Sequence, residues 1–328
     1  MSKPKVGFYW CASCGGCEEA IVDLNEAVLD VVAAVDIVFW PCAMDFKRSD
    51  VEAMADKEFT VVFINGAVRN DDQLEMAELL RRKSQFIIAF GSCSHTGGIP
   101  ALANFYSKEG VLKAAYGTAF STLNPDYVLP QTETKVPEGV VTLPALWGTV
   151  KCLDQVIDVD YYLPGCPPPV ALTVNAVQAL LSGNLPPKGT VLAPDKAMCD
   201  DCPRKETKPE KMFNKQFYRP SQIIVDPEKC LLAQGLLCLG PVTRMGCDWA
   251  CVRGNMPCTG CLGPTSRVRD YGAKALSAIA STLDSNDENE IKQIMDSITD
   301  PAGTFYRYST ATSFLHRATG ADGNGRKL

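Results

Sequence analysis

At 328 residues the chain is long for one core, which favours a large domain with a smaller one beside it. Hydrophobic residues make up 46% and charged residues 21%, ordinary values for a soluble globular protein. The 32 Lys and Arg against 38 Asp and Glu leave a net charge of −6, so composition offers no general reason to bind nucleic acid or an anionic membrane surface.

Lys5–Trp10 reads as a strand, followed by a helix near Glu18–Val32. Val35–Trp40 reads as a second strand and Val51–Ala55 as a short helical piece. Phe59–Asn65 is a strongly β-branched strand, and Asp71–Lys83 has helical spacing with Leu74, Ala77, Leu79 and Leu80 apolar. Phe86–Phe90 is a fourth strand. Leu102–Tyr106 has helical character, Leu123–Pro130 reads as a loop, and Glu138–Cys152 as a turn and then a helix. Tyr161–Pro164 ends a later strand, followed by a helix near Val170–Leu181. Strands alternating with helices predict a parallel sheet covered on both faces, a flavodoxin-like, doubly wound α/β domain over residues 1–182. Ser182–Pro194, with three prolines and two glycines, reads as a connector. Residues 183–328 then form an irregular cysteine-rich domain, expected to be held by metal rather than by an apolar core, with helices at Ala273–Leu283 and Glu288–Ile298 and a Gly-rich tail.

The opening Met1-Ser-Lys-Pro-Lys-Val has no apolar signal core, cleavage site or arginine pair, and no run approaches about eighteen apolar residues. A cytoplasmic location without a membrane span is the expectation. Fifteen cysteines in such a reducing compartment argue for metal binding rather than disulfides. Only His95 and His316 are available to share that work, and an all-thiolate inventory suits iron–sulfur clusters or structural zinc.

Three cysteine-bearing segments fall just past predicted strands: Cys11-Ala-Ser-Cys14-Gly-Gly-Cys17, Gly91-Ser-Cys93-Ser-His95 and Gly165-Cys166-Pro-Pro. Ligands of open parallel sheets sit outside the carboxyl ends of the strands, where strand order reverses. Distant thiolates would therefore converge there, and four of them suit a [4Fe–4S] cluster. Gly15, Gly16, Gly91 and Gly165 would let the backbone approach it closely. Flavin-phosphate loops of flavodoxin-like domains are instead rich in Ser and Thr. Eight more cysteines follow: Cys199, Cys202, Cys230, Cys238, Cys247, Cys251, Cys258 and Cys261. Their arithmetic gives two four-thiolate sites, with zinc ribbons as the rival reading.

Cys14-Gly-Gly-Cys17-Glu18-Glu19, Gly91-Ser-Cys93-Ser-His-Thr-Gly97-Gly98 and Leu163-Pro-Gly-Cys166-Pro-Pro resemble the proximal-cluster motifs of nickel–iron hydrogenase small subunits. The resemblance implies that Cys14, Cys17, Cys93 and Cys166 bind a proximal [4Fe–4S] cluster, fed by a Ni–Fe centre in a partner large subunit. Related motifs occur in the cluster-bearing subunit of respiratory complex I. Cys11 repeats the two-residue spacing and rivals Cys14 or Cys17, though the resemblance favours the later pair. Cys42 and Cys152 match no ligand motif and are expected to be buried neutral thiols. Glu18 and Glu19 suit the start of a helix, with a proton-relay role for Glu18 as the alternative.

The resemblance extends over most of the chain. It implies a distal cluster on Cys199, Cys202, Cys230 and Cys238, with Cys199 where the family commonly has histidine. It implies a medial [4Fe–4S] cluster on Cys247, Cys251, Cys258 and Cys261, where membrane-bound members have three cysteines and a [3Fe–4S] cluster. This all-cysteine pattern looks most like the cytoplasmic hydrogenases of methanogens. The F420-non-reducing type that feeds heterodisulfide reductase is the best match, and the F420-reducing type its near neighbour. The implied partners are the large subunit, a small delta-type iron–sulfur subunit and the heterodisulfide reductase flavoprotein complex. The implied task is to pass electrons from H2 oxidation along three clusters, with no catalytic centre in this chain. The division of the eight later cysteines into sets is open. His95 is read as a polar loop residue rather than a donor to the cluster shell, and His316 as a surface or subunit-contact residue.

Overall fold

The computed structural model of the chain describes residues 3–315; His316 and the Gly-rich tail lie outside the described residues. In chain order the first part runs β1 (Lys5–Trp10), α1 (Gly16–Val22), α2 (Ala27–Ala34), β2 (Asp36–Phe39), α3 (Arg48–Ala53), β3 (Phe59–Asn65), β4 (Val68–Asn70), α4 (Asp71–Lys83) and β5 (Ser84–Phe90). It continues with α5 (Ser92–Thr96), α6 (Lys108–Lys113), β6 (Glu133–Val136), β7 (Gly139–Thr142), β8 (Leu146–Lys151), β9 (Tyr161–Leu163), α7 (Val170–Ser182) and β10 (Thr190–Val191).

Six strands form one sheet in the order β10-β9-β5-β3-β1-β2, and every neighbouring pair is parallel. The β-branched run of β3 lies near its middle, with every residue but Thr60 buried. A strand covered on both faces has to be apolar on both, which is why this run does not alternate. The chain moves outward from β1 to β2, then returns to the other side of β1 with β3. Strand order therefore reverses between β1 and β3, and the doubly wound arrangement read from the sequence is the one observed. One face packs Val6, Phe8, Val61, Phe63, Ile88 and Phe90 beneath α1 and α7. The other packs Phe59, Val62, Ile64, Ile87 and Ala89 beneath α3 and α4.

Three local readings change. The helix expected over 18–32 is two helices, because Asn25 takes a left-handed φ of 52° and bonds the Asp23 carbonyl at 3.0 Å. The turn in 138–152 is present, but two strands, β7 and β8, stand where a helix was expected. Val140, Val141, Thr142, Thr149 and Val150 are β-branched and favour extended backbone, and β8 pairs antiparallel with β4. The segment read as a connector carries β10, which adds to the sheet beside β9.

From Met198 to Gly263 the backbone is mostly turns, with α8 (Ala250–Arg253), and then α9 (Tyr271–Ala280), α10 (Glu288–Asp296) and α11 (Pro301–Phe305) follow. Asp270, Asp287 and Asp300 cap these last three by accepting from free amides of the first turn. Contrary to the expectation of a coreless metal-held module, this part has an apolar core of its own, with Leu231, Leu236, Leu239, Val252, Ala275, Ile279 and Phe305 buried. The cysteine-bearing segment and the helices after it supply it together. The chain end then ties back to the sheet: Thr96 Oγ1 and the Gly98 amide both donate to the Tyr308 carbonyl, and Gln155 Nε2 donates to the Ala311 carbonyl at 2.8 Å. Among the described residues no helix is long and apolar enough to cross a membrane.

Candidate thiolate sites

The carboxyl ends of β1, β5 and β9 deliver four thiols to one place. Cys14 is exposed in the loop after β1, Cys17 is buried on α1, Cys93 is buried on α5, and Cys166 is half-buried after β9. Burial raises the Cys17 pKa, and Cys93, Cys166 and Cys14 push it further in the same direction. Cys93 is pushed up to about 12 by burial and then by Cys166 and Cys14. Like-charge repulsion of this kind requires the sulfurs to lie near one another. The loops interlock, since the Gly91 amide bonds the Leu163 carbonyl at 2.8 Å and the Ser92 amide the Gly165 carbonyl at 2.7 Å. Gly91 has φ +89° and no room for a side chain, because a Cβ there would collide with Cys17 Sγ. At Gly98 a Cβ would come within 2.5 Å of Cys93 Sγ.

Cys11 is elsewhere. It is buried on the opposite face of the sheet among Phe39, Val51 and Phe59, and beyond its burial only Asp72 perturbs it. Cys152 is buried and donates to Asp154 Oδ1 at 3.0 Å. Cys42 departs from its expectation: it is exposed, because β2 ends at Phe39 and Cys42 falls in the turn beyond.

Cys199, Cys202, Cys230 and Cys238 line a single cavity together with Arg204, Lys208, Met212, Leu231 and Val252. Cys199 is pushed up to about 12 by burial and then by Cys238, with Cys202 and Cys230 adding and Lys208 opposing. Beyond burial, Cys247 raises Cys251, and both Cys247 and Cys251 raise Cys261, while Cys258 is raised by Cys238 and by Cys261. Three groups of thiols thus adjoin one another in succession. Ser92 Oγ, beside Cys93, donates to the Cys261 carbonyl and joins the first group's loop to the middle one, and the Cys258 amide reaches Cys238 Sγ at 3.4 Å, joining the middle to the last.

Among the described residues no three His, Cys, Asp or Glu side chains close on one point as tightly as a single metal ion needs. In a mononuclear zinc site each sulfur lies ~2.3 Å from the metal, whereas these thiols ring wider, glycine-lined or apolar spaces. An all-sulfur donor set around such spaces fits an iron–sulfur cube.

Residues 14–180 match the family model of the NADH ubiquinone oxidoreductase 20 kDa subunit. Over 316 residues the chain is 40% identical to the iron–sulfur subunit of the F420-non-reducing hydrogenase of Archaeoglobus profundus, covering 95% of this chain and 98% of the relative. Over 317 residues it is 36% identical to the corresponding subunit of the F420-non-reducing hydrogenase of Methanothermobacter thermautotrophicus, covering 95% and 96%. The chain belongs to the small-subunit family of the F420-non-reducing nickel–iron hydrogenases. The fold is shared more widely: a [NiFeSe] hydrogenase structure from Dm. baculatum superposes with a TM-score of 0.51 at 18% identity, over 81% of this chain and 96% of that one.

In this hydrogenase small subunit four features go beyond the sequence reading. Glu18 is more than a helix-start acid: it is buried, and it accepts from Trp40 Nε1 and from Asn65 Nδ2 at the ends of β2 and β3. Burial raises the Cys42 pKa, and the charge and hydrogen bond of Glu18 raise it further, which places the exposed thiol beside that buried carboxylate. Met198 lies between the middle and last groups, its thioether 3.5 Å from Cys258 Sγ and 4.0 Å from Cys247 Sγ. Arg204 is buried and clamps two cysteine loops, donating to the Lys229 and Val252 carbonyls and to Asn255 Oδ1. Its place two residues after Cys202 was the only available signal. His95 stacks on Tyr162 at 4.8 Å, and burial pushes its pKa down to about 4, with Asp154 opposing and Arg244 adding to the shift. A neutral ring held in the wall between α5 and β9 is not a loop residue.

Proposed function

We propose that residues 1–182 hold a proximal [4Fe–4S] cluster on Cys14, Cys17, Cys93 and Cys166. Residues 183–328 hold a medial cluster on Cys247, Cys251, Cys258 and Cys261 and a distal one on Cys199, Cys202, Cys230 and Cys238. The subunit then conducts electrons from the Ni–Fe centre of its large subunit to a delta-type iron–sulfur subunit and the heterodisulfide reductase system, in the cytoplasm. The observation that carries this reading is the succession of thiol groups joined by the Ser92–Cys261 and Cys258–Cys238 contacts.

When bound, such clusters supply one-electron couples whose potentials follow burial and hydrogen bonding. The chain's own part is to hold and shield them. Gly91 and Gly98 give the close approach, the Cys258 amide donates to sulfur, and Leu231, Leu232 and Val252 wall off water from the last group. Glu18 accepts from Trp40 and Asn65 and adjoins the exposed Cys42, which puts a buried acidic side chain beside the first group.

Metal and acid-labile sulfide analysis of the anaerobically purified complex tests the assignment. About twelve irons per chain, in three cubes of four, are expected. Zinc in place of iron, or iron for one cluster alone, overturns it.

A further inference from the structure

Among the described residues the chain carries an arm that the rest does not cover. Between Lys113 and Pro144 no residue is buried. Phe120 is 104% exposed, Leu123 95% and Val128 66%, and Val140, Val141 and Leu143 are all more than half exposed. The arm is nevertheless ordered. β6 and β7 pair over four residues on each strand, and Asn124 closes a loop by donating to the Tyr116 and Val128 carbonyls at 2.9 Å each. An isolated two-stranded hairpin is marginal in water, and a large contiguous apolar patch marks an interface.

Both roots of the arm lie on the rim of the first thiol group. One leaves through Ile99–Phe105, where Ile99 is exposed and follows Gly98, whose backbone packs against Cys93. The other returns through β8, which pairs with β4 just past the carboxyl end of β3. There Ala67 bridges to Ala12, two residues before the exposed Cys14. Asn104 holds the roots together, donating to the Val150 carbonyl at 2.9 Å and accepting from the Val150 amide at 2.8 Å.

We propose that the arm, residues 113–144, is laid against the hydrogenase large subunit and forms an apolar clamp beside the proximal thiols. The inference rests on the hydrogenase reading and names the contact that this reading needs. An electron donor has to approach the rim where Cys14 is exposed, and the arm springs from that rim. Transient redox contacts are small and polar, whereas permanent ones are larger and apolar. An arm of this character requires a permanent partner, and the large subunit is the permanent one. Its two lysines, Lys113 and Lys135, nearly balance Asp126, Glu133 and Glu138, so apolar contact rather than charge has to hold it.

The test uses the co-expressed complex with the tag on this chain. Phe120→Ser combined with Leu123→Ser, and separately Val141→Lys, alter side chains that touch solvent in the isolated chain. The expected result is at least a tenfold loss of large subunit from the purified complex, with the iron content of this chain unchanged. Amide hydrogen exchange over residues 113–144 gives an independent reading, with protection expected in the complex and absent in the chain alone. Unchanged large-subunit recovery with an unprotected arm overturns the proposal. So does a homodimer of this chain that the same substitutions dissolve, because a second copy would then be the occupant. A wild-type complex without iron would instead sink the hydrogenase reading and leave the docking result standing.

Discussion

The main-chain amide of Cys258 donates to the sulfur of Cys238 at 3.4 Å, so a residue of the middle thiol group touches the last one. The two groups share that boundary, yet Cys199, Cys202, Cys230 and Cys238 line a cavity of their own. Cys238→Ser should therefore cost about four of roughly twelve irons and slow electron exit. Hydrogen should still reduce the proximal cluster. Iron analysis with redox titration followed by electron paramagnetic resonance reads both effects, and a full iron count in the variant would contradict the assignment.

Cys11 and Cys17 lie six residues apart on opposite faces of the sheet. Cys17→Ser should abolish hydrogen-dependent dye reduction by the assembled enzyme. Cys11→Ser should keep both iron and activity, losing only about 1–2 kcal/mol of stability for a hydroxyl placed in an apolar pocket. Parallel iron and activity measurements separate the two. Loss of cluster in the Cys11 variant, with Cys17→Ser intact, would reverse the pair.

Gly91 is constrained twice, by its φ of +89° and by Cys17 Sγ in the space a side chain would take. Gly91→Ala should remove the proximal cluster, about four irons, while Gly254→Ala, whose nearest contacts start at 3.4 Å, should retain all three. The visible absorption of anaerobic protein shows the difference directly. A Gly91→Ala protein with normal colour and iron would mean that the first thiol group is not the binding site.

Much of this was legible in the residues and some was not, for physical reasons. β1, β3 and β5 declared themselves because a strand buried on both faces has few residues to choose from, and the cysteine spacings stand out against so few histidines. Residues 138–152 misled because a short apolar run serves helix or strand equally well, and only pairing with β4 decides. Glu18 looked like a helix-start acid because Trp40 and Asn65, which bind it, come from the ends of two other strands. The exposure of Phe120, Leu123 and Val140 was not legible, because an apolar side chain carries the same signal whether its own chain or a partner covers it.

Asp160 gives a prediction independent of any metal. It is buried at the start of β9, where its carboxylate meets Arg81 Nη1 and Lys188 Nζ, each at 2.5 Å, and accepts from the Ile87 amide at 2.8 Å. It thus pins α4, β5 and the segment leading to β10 to one another. Burial alone would raise its pKa, but the hydrogen bonds from Lys188, Arg81 and the Ile87 amide outweigh that and hold the carboxyl below the usual range. A depressed folded-state pKa means that the unfolded chain binds the proton more readily. The stabilisation is therefore fully present above the unfolded value, about 3.9, and is lost as pH falls through the lower folded value. Asp160→Asn should cost about 2 kcal/mol near neutral pH, because it leaves Arg81 without its buried partner. Protection of the Ile87 amide against hydrogen exchange reads the effect locally. The gap between wild type and variant should be constant from about pH 7 to pH 5 and narrow below about pH 4 as the wild-type carboxyl protonates. A gap that widens on acidification would contradict the ion-pair account.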